Sequence, residues 1–183
     1  MTTTALLVID IQRAAFDGER CPPIDSPDGL VRSAGELIEA ARHGNCLVVF
    51  VQHCDEPGQP FEEGTDHWRL HEALVPAPGE SVLKKHASSS FEGTELDVQL
   101  KARKIGKLVL CGLQSEFCVS NTARSALQLG YQVRIAQDGH STWPSEGRTA
   151  AEIKDEVNSQ LAQAGAVLEG TENLARELRR TRT

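Results

Sequence analysis

Four short, nearly unbroken apolar runs constrain this chain most: "ALLVID" (5–10), "CLVVFVQH" (46–53), "KLVLCGL" (107–113) and "YQVRIAQD" (131–138). A half-exposed strand alternates apolar with polar residues, so runs this continuous belong to strands covered on both faces. Between them lie stretches with helical spacing. In 28–45 the apolar residues fall at Leu30, Ala34, Leu37, Ile38 and Ala41, and Gly44 offers a stop. Helices are also expected over 94–106, with Thr94 as N-cap and Gly106 near the end, over 118–130, and over 148–164. "SVLKKH" (81–86) reads as a third, shorter strand and "AVLEG" (166–170) as a last one. The polar, aromatic segment 59–74 reads as loop with a short helix at its end, and the polar tail "ENLARELRRTRT" as a fraying terminus. Strands alternating with helices make βαβ units. The expected class is therefore α/β, a mainly parallel sheet with helices on both faces. With 183 residues, no internal repeat and no low-complexity linker, a single domain over 1–183 is expected.

Composition excludes several functions. The net charge is −7 with acids and bases interspersed and no long basic run, which argues against nucleic acid or an anionic membrane surface as partner. No segment reaches the about 18 apolar residues of a membrane span. The start "MTTTALLVIDIQ" has no basic region and carries an acid inside its apolar run, so it reads as a strand rather than a signal peptide. Five cysteines with no CxxC spacing point to a reduced, cytoplasmic protein without a disulfide framework.

In parallel α/β sheets, ligands sit at the carboxyl ends of the strands. Asp10 closes the first strand, His53 and Asp55 follow the second, Lys84 and Lys85 end the third, Cys118 follows the fourth, and Asp138 and His140 follow the fifth. Carboxylate, amine and thiol are thus expected on one rim. A thiol nucleophile needs a lowered pKa, a base and an oxyanion site. Cys118 is expected in the first turn of its helix, where the helix N-terminus favours negative charge. Cys46 and Cys111 fall in strand patterns as core residues. Cys21 lies in a Pro-rich loop, and Cys54 has no helix start after it. The common nucleotide, zinc-protease and serine-hydrolase motifs are missing. His67 and His71, at i and i+4, permit one helix face but have no accompanying ligand motif, so no metal and no cofactor are expected.

The stretches "LLVIDIQ", "VLKKHASSSFEGTELD" and "LVLCGLQSEFCVSNTARSALQLGYQVRIAQDGHST" resemble the three signature blocks of the isochorismatase-like cysteine hydrolases, a family that includes nicotinamidases. The resemblance runs over about residues 5–170 in the same order. It implies a three-layer α/β/α, Rossmann-like sandwich with six strands in the order 3-2-1-4-5-6. It implies an Asp–Lys–Cys triad of Asp10, Lys85 and Cys118. Phe91 of "SSFEGTEL" sets the register that selects Lys85 over Lys84, and strand alternation allows only one of the two to face the thiol. It further implies a cis peptide between Leu113 and Gln114, and an oxyanion hole from the backbone N–H groups of Gln114 and Cys118. In the nicotinamidase branch an Asp-x-His pair holds a metal; here His53 and Asp55 stand in the reverse order. The expected function is hydrolysis of a C–N bond in a small amide through a Cys118 thioester. The expected pocket residues are Gln12, Phe16, His53, Trp68 and Phe117, and the expected assembly is a homodimer or homotetramer. Two other readings stay open: an ether or ester hydrolase on the same fold, and a non-catalytic binding or oligomerisation module.

Overall fold

The computed structural model describes residues 3–181. Met1 and Thr2 of the expected first segment, and Arg182 and Thr183 of the expected tail, lie outside them. Six strands form one sheet: β1 (Thr3–Ile9), β2 (Leu47–His53), β3 (Ser81–Lys85), β4 (Ile105–Leu113), β5 (Gln132–Ser141) and β6 (Val167–Glu169). Every pairing is parallel, and the order is β3-β2-β1-β4-β5-β6. The helices are α1 (Pro27–His43), α2 (Leu96–Ala102), α3 (Ser120–Gln128), α4 (Ala150–Gln163) and α5 (Thr171–Arg180).

The continuous apolar runs split by the two-residue period of a strand. Leu6 and Val8 of β1, with Phe50, Val109 and Cys111, face one side and pack against Leu37 of α1 and Leu174 and Leu178 of α5. Leu7 and Ile9, with Val49, Val51, Leu108 and Leu110, face the other and pack against Leu100 of α2, Ala123 of α3 and Leu161 of α4. Neither face of the central strands reaches water, which is why no polar alternation was selected there.

Four local expectations are corrected. The tail is a packed helix: Leu174, Ala175 and Leu178 of α5 recur at helical spacing and are buried, and Gly44 at the end of α1 lets α5 approach, since a Cβ there would lie 1.9 Å from the Leu178 carbonyl oxygen. The N-cap position of α2 is held by Glu95 and not Thr94, although the Thr94 hydroxyl oxygen, one residue earlier, accepts the Leu96 N–H at 3.3 Å. The helix begins at Leu96, and the Thr94 hydroxyl donates to the Ser90 carbonyl at 2.6 Å. Segment 59–74 contains turns and no helix, so His67 and His71 share no helix face; His67 is held by Asp17 at 2.8 Å instead. Asp138 and His140 lie within β5, which runs on to Ser141, and both make internal contacts. The Asp138 carboxylate accepts the Thr171 N–H at 2.7 Å and starts α5. By contrast, Thr149 and Glu152 form a reciprocal capping box that fixes the start of α4.

Strand order turns back between β1 and β4. From β1 the chain builds outward to β2 and β3, and from β4 outward to β5 and β6. Such a switch point leaves a crevice beyond the carboxyl ends of the two central strands. Gly112, near the end of β4, has φ of +128°, and a Cβ there would meet the Ile9 carbonyl oxygen at 2.0 Å. Glycine therefore lets β1 and β4 converge under the crevice.

Candidate active site

Asp10 is the first residue past β1 and adopts a left-handed φ of 54°. Aspartate tolerates this region better than most residues. Its N–H still donates to the Val51 carbonyl at 2.9 Å, so the backbone turns at the sheet edge without leaving it. On β3 the alternation separates two neighbouring lysines. Lys84 points to solvent, pairs with Glu63 and lies over the Trp68 ring, whereas Lys85 is buried. Lys85 is the register partner of His53 on β2, and its side chain reaches back toward β1. After β4 the Leu113–Gln114 peptide is cis, and a π-helical turn, Ser115–Val119, runs directly into α3. Cys118 lies in this opening turn, between Phe117 and Val119, whose N–H groups donate back to the Gln114 carbonyl at 3.3 and 3.1 Å.

These three elements bring Asp10, Lys85 and Cys118 together. The Lys85 ammonium lies 2.8 Å from Asp10 Oδ2 and donates to Cys118 Sγ at 3.1 Å, to His53 Nδ1 at 3.0 Å and to the Ala87 carbonyl at 3.2 Å. A carboxylate oxygen of Asp10, a ring nitrogen of His53 and Cys118 Sγ all lie within 4.8 Å of one another. Apart from that ion pair, the buried Asp10 carboxylate receives no well-directed hydrogen bond among the described residues. It is an unspent proton acceptor beside a thiol.

The electrostatics correct one expectation. Burial, with the Asp10 charge adding to it, outweighs Lys85 and pushes the Cys118 thiol up to about 12. Burial thus favours the neutral thiol over the thiolate in the resting site. Burial also raises Asp10 against the pull of Lys85, which makes its carboxylate a better base than an ordinary aspartate. Burial opposes the Lys85 charge, but Asp10 and Cys118 prevail and hold its pKa above the usual lysine value. Burial and the neighbouring ammonium lower His53, so its ring is neutral at pH 7.

His53 Nε2 lies 3.0 Å from Asp55 Oδ1 and its Nδ1 faces the Lys85 ammonium. Both ring nitrogens are engaged, with the Nδ1 lone pair turned toward a cation. The residues do not fit the metal-holding pair of the nicotinamidase branch.

Above the thiol lies a cleft of about 710 Å³. Its floor is Asp10, His53, Leu113, Gln114 and Cys118, and its walls are Phe61, Trp143 and the prolines at 22, 23, 60 and 144, with Cys21 and Asp55 at the side. Of the expected pocket residues, His53 lines this cleft, and Gln12, Phe16, Trp68 and Phe117 do not. Gln12 is fully buried; its amide donates to the carbonyls of His53 and Trp68 at 3.0 and 2.8 Å and accepts the His53 N–H at 2.8 Å, clamping the end of β2. Phe16 meets His71 edge-on outside the cleft. The Trp68 indole donates to the His53 carbonyl at 2.9 Å, and Phe117 points outward, 53% exposed. The loops carrying Phe61 and Trp143 have no periodicity from which their approach could be read; Trp143 is anchored by donating to the Pro22 carbonyl at 2.6 Å.

A buried relay also supports the opening turn. The Asn158 amide donates to the Gln137 carbonyl at 3.2 Å, which turns its oxygen to His140 Nε2 at 2.8 Å. His140 Nδ1 is then the acceptor for the Ser115 hydroxyl at 2.8 Å. Burial pushes the His140 pKa down to about 4.

Known proteins share this arrangement of fold and sequence. The family model of the Isochorismatase domain matches residues 4–177. Streptothricin hydrolase of Streptomyces noursei is 36% identical over 162 residues, covering 88% of this chain and 57% of that protein. The chain thus spans about three-fifths of the length of the streptothricin hydrolases it matches. Ureidoacrylate amidohydrolase RutB of Azorhizobium caulinodans is 26% identical over 189 residues, covering 81% of each. A crystal structure of an isochorismatase family protein of Desulfovibrio vulgaris superposes with a TM-score of 0.87 at 26% identity, covering 98% of this chain and 100% of that one.

Proposed function

The chain belongs to the isochorismatase family of hydrolases, and from that premise we propose that it cleaves the C–N bond of a small amide through a thioester on Cys118. The observation that carries this reading is the contact set at the cleft floor: Lys85 Nζ touches both Asp10 Oδ2 and Cys118 Sγ, and the thiol opens onto the cleft. The activities that two relatives are named for, a streptothricin hydrolase and a ureidoacrylate amidohydrolase, agree with a hydrolase of this kind.

The neutral thiol sets the order of events. Asp10 takes the Cys118 proton as sulfur attacks the amide carbonyl, so no free thiolate has to persist. Lys85 remains charged and balances the negative charge as it passes from Asp10 to sulfur. The carbonyl oxygen becomes an oxyanion held by the N–H groups of Gln114 and Cys118 at the start of the helix. The C–N bond breaks, and Asp10 returns its proton to the departing nitrogen. Water then gives a proton to Asp10 and attacks the thioester; the C–S bond breaks and the sulfur recovers its proton. Asp55 orients His53, His53 accepts from Lys85, and Gln12 fixes the backbone beneath both. All five cysteines are unpaired, which fits work in a reducing, cytoplasmic compartment. A homo-oligomer remains part of the reading, and light scattering on the purified protein measures it.

The test is ammonia release from a panel of primary amides, with wild type beside Cys118→Ala. Turnover by wild type and none by a folded Cys118→Ala is expected. A Cys118→Ala protein with full activity would overturn the covalent route.

A further inference from the structure

The cleft has one sign of charge. Among the described residues that line it there is no lysine or arginine. Its ionisable side chains besides the two thiols are Asp10, His53 and Asp55. Lys85 lies behind Asp10, buried, and is matched by it at 2.8 Å. Asp55 has no such partner: its Oδ1 meets a neutral imidazole at 3.0 Å and its Oδ2 accepts the Phe61 N–H at 3.0 Å. Its side chain keeps 23% exposure. Those two contacts leave further lone pairs on each oxygen. The same cleft is lined by Phe61, Trp143 and four prolines, a composition that suits a flat or apolar body and offers aromatic rings to which a cation is attracted. An anionic substrate would enter a low-dielectric cleft carrying a like charge and no counter-ion, which counts strongly against it.

We infer that the cleft selects amides carrying a positive charge, an ammonium or amidinium borne on a flat or apolar body, with Asp55 as the residue that recognises the charge, and that it rejects amides bearing a carboxylate. This rests on the amidase reading for the position of the reacting carbonyl over Cys118, but the charge preference itself is a property of the walls. It also marks a difference from the ureidoacrylate amidohydrolase relative, whose named substrate is an acid.

Binding and turnover separate the two ideas. Three probes of one shape are used: 4-(aminomethyl)benzamide, benzamide and 4-carbamoylbenzoate, cationic, neutral and anionic at pH 7.5. Binding to Cys118→Ala is read by calorimetry, with quenching of tryptophan fluorescence as a second signal. The cation is expected to bind at least about tenfold more tightly than the anion, with the neutral amide between. In Cys118→Ala/Asp55→Asn, which keeps an oxygen to accept from His53, the ratio should fall to within about threefold. Equal or tighter binding of the anion, a ratio unmoved by Asp55→Asn, or no binding of any probe would overturn the inference. Wild-type turnover is measured on the same three compounds. Charge-ordered binding without hydrolysis by wild type would count against the amidase reading while leaving the charge selection standing. Hydrolysis favouring the anion would do the reverse.

Discussion

Replacing Lys85 by methionine removes the ammonium and keeps the length and most of the packing of the side chain. Asp10, 3% exposed, then loses the cation 2.8 Å away. Breaking a buried ion pair from one side costs about 3–5 kcal/mol, and for a chain of this size each kcal/mol is about 2–4 °C in Tm, so a fall of roughly 10 °C is expected at pH 8. The loss depends on pH. Burial already raises Asp10 with Lys85 present, and without it the folded-state value climbs further. A group whose folded pKa exceeds its unfolded one contributes stability at low pH and loses it as pH rises through the folded value. The deficit against wild type should therefore be smallest near pH 5 and widen toward pH 8. Catalysis suffers separately. A thiolate 3.1 Å from the ammonium gains about 5 kcal/mol at an effective dielectric of about 20, enough for a loss in kcat/KM of at least about a thousandfold. Lys84→Met is the control, since that ammonium lies in solvent on the opposite face and should change neither quantity. Thermal melts followed by circular dichroism between pH 5 and 9, with ammonia release on an accepted amide, read both effects. A Lys85→Met protein that melts with wild type across this range and keeps its rate would refute the argument, as would damage confined to Lys84→Met.

Asp10→Asn keeps the shape but cannot take the thiol proton; single-turnover acylation should slow by about 10²–10⁴, and a rate within about threefold of wild type would remove Asp10 from the mechanism. His140, held neutral with a pKa of about 4 against 6.5, binds its proton more readily when unfolded, so stability should fall by about 3 kcal/mol as pH drops from 6.5 to 4. Urea titrations of wild type and His140→Gln check this, and an acid limb of equal slope in both would contradict it. Leu178→Ala should cost about 2–5 kcal/mol, because α5 is a packed element rather than a frayed end, and denaturant melts measure it.

The layout of the sheet was legible because β1, β2, β4 and β5 are dry on both faces and carry unbroken apolar runs. The gathering of Asp10, one of the two lysines and Cys118 on one rim followed from the same source, since each ends or follows a strand; alternation allows only one lysine to face the thiol, and the family resemblance, through the register set by Phe91, is what selects Lys85 over Lys84. The thiol's protonation state was not legible. A helix start and a lysine suggest a lowered pKa, and only burial together with the adjoining Asp10 reverses the sign. Helix α5 was hidden because its buried stripe is just Leu174, Ala175 and Leu178 among charged neighbours, too narrow to stand out in a polar tail. The cleft walls were hidden for another reason. Phe61 and Trp143 lie in irregular segments fixed by scattered contacts, such as Phe61 N–H to Asp55 and Trp143 to Pro22, which have no period in the chain. Gln12, Trp68 and Phe16 have the chemistry of pocket residues but are engaged in holding the loops.

The central claim is that a covalent bond forms between the acyl group and Cys118. Intact-protein mass spectrometry of wild type quenched in acid during turnover of an accepted amide tests it most directly. The account predicts a mass gain equal to the acyl fragment, mapped to Cys118 by peptide digestion and discharged by hydroxylamine. Steady turnover with no adduct on Cys118 at any quench time, in a protein whose Cys118→Ser variant works as well as wild type, would contradict it.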